Sequence, residues 1–71
     1  MEPGWIKIKT FGIVVEAEIV KNMLIENDIP AVVVNKQDVY VRFGNVELYV
    51  QDDNQEAALQ LIEEQSENTN D

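Results

Sequence analysis

Neither cysteine nor histidine occurs in the 71-residue sequence. Their absence removes a disulfide framework, a thiol nucleophile, an imidazole base and every cysteine- or histidine-ligated zinc or haem site. Ser66 is the only serine and lies in a polar C-terminal stretch, so a serine nucleophile is excluded as well. Gly4, Gly12 and Gly44 are too scattered to form a phosphate-cradling loop. No apolar run approaches the roughly 20 residues of a membrane span, and Met1-Glu2-Pro3-Gly4 has neither the basic nor the apolar region of a leader. A cytoplasmic protein without a cofactor is expected.

Basic residues are scarce and unevenly placed. Lys7, Lys9, Lys21, Lys36 and Arg42 nearly balance six acids in residues 1–42, whereas residues 43–71 hold eight acids and no base, within a net charge of −9. Binding to phosphate backbones or anionic lipid depends on Lys and Arg, so partners of both kinds are disfavoured. A basic protein partner, steered electrostatically, fits better. The length allows a single small domain that buries about 60% of its extended surface, and oligomerisation readily supplements so small a core.

Trp5-Ile6-Lys7-Ile8-Lys9-Thr10 alternates as a half-buried strand does, and Phe11-Gly12 breaks the alternation. Gly12 is expected to let the chain turn into a helix. From Ile13 to Asn27 the apolar residues Ile13, Ala17, Val20 and Leu24 recur at helical spacing, and Val14, Val15, Ile19 and Ile25 widen the stripe. Such a helix is covered on more than one side or faces a partner. Asp28-Ile29-Pro30 stops it, because a residue before proline is pushed out of the helical region. Ala31-Val32-Val33-Val34 reads as a second strand.

Two layouts fit the next stretch. Residues 39–43 and 46–50 form their own hairpin around Gly44-Asn45, or only about 45–50 is a core strand. Asp52-Asp53-Asn54-Gln55-Glu56 opens a second helix with Ala58, Leu61 and Ile62 on one face, and Asp53 with Glu56 resembles a capping box. Residues 1–64 form the domain, and the polar tail 65–71 is expected to be disordered.

The order βαββα predicts an α+β two-layer, ferredoxin-like (split β-α-β) sandwich: a three-stranded antiparallel sheet with the third strand in the middle and two helices on one face. Ile6, Ile8, Val32, Val34, Val46, Leu48 and Val50 are expected under the helices. Trp5, Lys7, Lys9, Ala31, Val33, Glu47 and Tyr49 are expected on the bare face. The first strand is an unpaired edge, blunted by Lys7 and Lys9 or extended by a second copy.

Thr10-Phe11, Glu16-Ala17-Glu18, Lys21, Leu24, Ile29-Pro30-Ala31, Asn35-Lys36-Gln37-Asp38, Phe43-Gly44 and Glu47-Leu48-Tyr49-Val50, in that order and spacing, resemble a small bacterial domain family of unknown function catalogued as putative prokaryotic signal transducing proteins. The resemblance covers about residues 5–63. It implies a ferredoxin-like arrangement distantly similar to nitrogen-regulatory signal proteins, which work as oligomers, and it treats residues 39–43 as loop. The chain departs from the nitrogen-regulator pattern in having no fourth strand and no long basic nucleotide-binding loop.

The expected function is a non-enzymatic regulatory or binding module, with no catalytic and no metal-ligating residues. It self-associates as a homodimer or larger assembly through the strand edge or open face, using Trp5, Lys7, Lys9, Val33 and Tyr49. The polar loop carrying Asn35, Lys36, Gln37, Asp38, Arg42 and Phe43 is the expected ligand or partner element. Tyr40 and Phe43 either fold over the open face or make contacts. Two alternatives stand beside this reading: an Mg²⁺- or Ca²⁺-dependent sensor or enzyme using Asp52, Asp53, Asn54 and Glu56, and a structural accessory to a larger protein. The calcium-loop spacing is not met, and helix capping accounts for the same acids. Glu16 and Glu18, two apart, diverge on a helix and cannot form a catalytic pair.

Overall fold

Residues 3–36 and 45–68 are described by the computed structural model, with side chains as far as residue 66. In chain order they form strand β1 (Trp5–Phe11), helix α1 (Val14–Glu26), strands β2 (Ala31–Asn35) and β3 (Val46–Gln51), a 3-10 turn over Asp52–Asn54, and helix α2 (Gln55–Asn68). β3 lies between β1 and β2 and runs antiparallel to both. The α+β two-layer sandwich expected from the element order is the one found. Among the described residues, β1 and β2 are the edges of this sheet.

The core forms where the two periodicities meet. Val46, Leu48 and Val50 alternate along β3 and are fully buried, as are Ala17 and Leu24 of α1 and Ala58 of α2. Phe11, Val20 and Ile29 complete the cluster, with Ile6, Ile8 and Met23 packed around it. Phe11 ends a strand that continues one residue beyond the break in alternation.

Two departures from the alternation have physical causes, and one helix runs longer than expected. In β2, Ala31 and Val33 pack on the core while Val32 is 37% exposed, the reverse of the expected faces. Four successive apolar residues carry no period of their own, so pairing of Val33 with Leu48 and Ala31 with Val50 decides the parity. Val33 is thus a core contact and not an open-face residue, and Val32 and Val34 take its place there. In β1 the pairing steps from Lys7 opposite Tyr49 to Lys9 opposite Leu48, leaving Ile8 as an extra, bulged residue. The bulge turns Lys9 off the open face, where alternation with Lys7 had put it. Its ammonium lies 5.5 Å from the centre of the Phe11 ring. Finally, α2 continues through Asn68, so residues 65–68 are helical where composition pointed to a disordered tail.

Helix ends also differ from their signals. Ile13 enters α1 in extended conformation with no side-chain cap, and Gly12 adopts no positive φ, so any residue's backbone could make that turn. α2 starts through the 3-10 turn, whose N-cap is Gln51 with no side-chain hydrogen bond. Asp53 therefore sits inside the turn and not at the cap of a capping box. Asp52, Asp53 and Glu56 still favour the positive end of the helix dipole. α1 stops in a Schellman motif: the Ile29 amide donates to the Leu24 carbonyl at 2.9 Å and the Asp28 amide to that of Ile25 at 3.0 Å. The Asn27 side-chain amide donates to the Met23 carbonyl at 2.8 Å. Leu24 and Ile29, both buried, make the hydrophobic contact that accompanies this motif.

Asp28 holds the left-handed position of that motif at φ 66°, a conformation that costs a side chain with a Cβ about 1–2 kcal/mol. Asp28→Gly is therefore expected to raise stability by about 1 kcal/mol in chemical denaturation. Asp28→Val is expected to lower it, and equal stability of the two variants would contradict the assignment.

Candidate functional site on the open sheet face

With the helices on one side, residues of β3 at alternate positions face outward. Glu47 and Tyr49 are those residues, two apart on the middle strand and therefore side by side. Tyr49 pairs across to Lys7 on β1 and Val32 on β2, and Glu47 to Thr10 and Val34. Lys36 follows β2 directly, and its backbone amide donates to the Asn45 carbonyl at 2.7 Å, which brings its side chain level with Glu47.

These positions converge on one carboxylate. The Tyr49 hydroxyl donates to Glu47 Oε1 at 2.8 Å. Lys36 Nζ lies 3.3 Å from the same oxygen and Lys7 Nζ 3.5 Å from Oε2. The Glu47 side chain is only 13% exposed, whereas those of Lys7 and Lys36 are 50% and 58% exposed. Lysines so well hydrated contribute little apiece, so the short phenol bond is the strongest hold on the carboxylate.

The ionisation of the pair reflects that order. The Tyr49 hydrogen bond does most to hold the Glu47 carboxyl below its ordinary range; partial burial pushes it up, and Lys36 and then Lys7 pull it down. The same bond, together with burial and the adjacent negative charge, raises the Tyr49 phenol, with Lys36 acting against the rise. A neutral phenol donating to an ionised carboxylate is the state that both shifts favour.

The face has an apolar end as well. Trp5, Pro30, Ala31 and Val32, with Ile25 of α1 and Asp28 and Ile29 of the turn after it, line an open hollow where β1 begins and α1 hands over to β2. Trp5 and Tyr49 are both half-buried. The expected interface residues thus divide: Trp5, Lys7 and Tyr49 come to the open face, while Lys9 and Val33 do not. Asn35 ends β2 and Lys36 follows it, but Gln37, Asp38, Tyr40, Arg42 and Phe43 lie outside the described residues, as does the question of a strand over 39–43.

Glu47 as the charged centre was missed by sequence reasoning. Its signal was a lone acid alternating with Val46, Leu48 and Val50, flanked by strands carrying Lys7 and Lys36. Among the described residues no group of three or more acidic side chains is placed to hold a metal ion, and Asp52 and Asp53 are spread along the 3-10 turn. No helix of the described residues is long and apolar enough to cross a membrane.

A three-stranded sheet with order β1-β3-β2, covered by two helices on one side and, among the described residues, open on the other, defines a small ferredoxin-like α+β domain. The chain belongs to the domain family described as putative prokaryotic signal transducing protein, whose model matches residues 5–66. No curated protein and no solved structure matches it.

Glu47 has a folded-state pKa below its unfolded value, so its contribution is present above the ordinary glutamate range, near 4.3, and is lost as pH falls through the lowered folded value. Stability is expected to decline more steeply on acidification in the parent protein than in Glu47→Gln, measured by denaturation at a series of pH values. Tyr49, whose contribution runs the other way, is expected to ionise above its ordinary value near 10 in a Tyr40→Phe background, followed by phenolate absorbance. Glu47→Gln should return it toward that value; an unchanged titration would remove the pair.

Proposed function

We propose that this chain is a cytoplasmic, non-enzymatic binding module that pairs with a second copy of itself through the open sheet face. The observation that carries the reading is one sheet face left bare by the helices, with Val32 and Tyr49 near a carboxylate already neutralised within the face and Trp5 toward its other end.

Charge supports a second copy as occupant. The molecule carries −9, and like charges brought together elsewhere on its surface repel. On the sheet face Lys7 and Lys36 stand against Glu47, so two copies can meet there without stacking acids. The family description, a signal transducing protein, fits a module that works by association, though that description rests on a family and not on this site.

The face is a better surface than the strand edge. At β1 the bulge at Ile8 breaks the row of backbone groups that a second strand would need, and Lys7 and Lys9 flank it. Lys36, one of the residues expected to form the recognition element, borders the face.

Light scattering over a concentration series is expected to give a mass rising from monomer to dimer. Val32→Asp, an exposed position paired with Tyr49, is expected to weaken association about tenfold or more while leaving the fold intact by circular dichroism. A monomer at every concentration, or a Val32→Asp variant that dimerises like the parent, overturns the reading.

A further inference from the structure

The polar groups of the sheet face form one unit in which the charges do not cancel. Among the described residues, Lys7 of β1 and Lys36 after β2 bring positive charge, Glu47 of β3 is the only acid beside them, and the neutral Tyr49 phenol holds its carboxylate at 2.8 Å. The cross-strand neighbours of Glu47, Thr10 and Val34, are uncharged, and the helices lie across the sheet. Each lysine meets a different oxygen of the carboxylate, Lys36 the Oε1 and Lys7 the Oε2, so Glu47 is the shared counter-ion of both.

In the single molecule that counter-ion matters little to the lysines, because their side chains are half exposed or more and their ammonium groups are hydrated. A second copy laid on the face displaces that water. Charges in the drier contact interact more strongly, and one left without a counter-charge is the most costly. With Glu47 ionised, each copy brings two ammoniums bridged by a carboxylate. With Glu47 neutral, each brings two ammoniums with nothing between them, against two more from the other copy.

We propose that Glu47 is the charge switch of the sheet-face association: two copies pair while its carboxylate is ionised and separate when it is neutralised. This rests on the self-association reading and adds its control. Pairing favours the ionised carboxylate, so by linkage protonation opposes pairing by the same factor; association is full above the range in which Glu47 titrates and is lost as pH falls through it. The Tyr49 bond, which holds the carboxyl below its ordinary range, keeps the switch in its paired state at neutral pH. Acid also discharges the other carboxylates of a chain at −9, which by itself would ease the approach of two copies, so dissociation in acid has the opposite sign to the bulk charge effect.

The test measures the mass of the full chain by sedimentation over a concentration series. At neutral pH and low salt, Glu47→Gln is expected to weaken the dimer at least about tenfold, with the deficit shrinking as salt is raised. Adding Lys36→Gln to Glu47→Gln returns the face to its parent net charge and is expected to recover most of the loss; Lys36 is 58% exposed, and circular dichroism checks that both variants fold. Acidification through the glutamate range, near 4.3 and below, is expected to dissociate the parent and to leave the residual association of Glu47→Gln unchanged or tighter. Parent-like dimerisation of Glu47→Gln, a deficit indifferent to salt, no recovery in the double variant, or a parent dimer that tightens in acid overturns the switch and leaves the self-association reading standing. A parent that is monomeric at every concentration overturns both.

Discussion

The placement of β3 between two antiparallel neighbours is the constraint from which the rest of the molecule follows. A middle strand satisfies its backbone groups on both sides, so its side chains alone choose which layer they join. Val46, Leu48 and Val50 join the helices and are fully buried; Glu47 and Tyr49 are left on the other side. Burial of each such valine or leucine is worth about 1.5–3 kcal/mol, a large share in so small a domain. One strand thereby builds the core and presents the polar site.

That division explains why much of the fold could be read from residues alone. β1, β3 and α1 carry unambiguous periods, and their extents match the sequence reading closely. The order βαββα with short connections leaves few topologies, and the one expected is present. Failures fall where the period is silent. Val32 and Val33 cannot be told apart within an apolar run, and only registration against β3 assigns them. The bulge at Ile8 has no marker in the sequence, yet it shifts Lys9 and Phe11 to the helix side together. Asp28 shows the same limit: proline explained the helix stop, but Leu24, Ile29 and the left-handed Asp28 perform it.

The site was legible in part. Trp5, Lys7 and Tyr49 were expected on the bare face and are there, but Glu47, which draws Lys7 and Tyr49 together, needs the cross-strand geometry before it stands out as their partner. Neutralising a carboxylate within the face removes the one local charge, among the described residues, that would oppose a second acidic copy. The proposed association surface follows from this arrangement. Membership in a family described as signal transducing is consistent with the proposed association.

Solvent accessibility of individual methyl groups tests this layered account most directly, by relaxation from a soluble paramagnetic chelate. In dilute protein the methyls of Val32 are expected to broaden strongly while those of Val33, Val46, Leu48 and Val50 stay sharp, and raising the protein concentration should protect Val32. Comparable broadening of Val32 and Val33 in dilute solution would contradict a sheet covered on one side, and Val32 broadening that is indifferent to concentration would contradict its role as the self-association face.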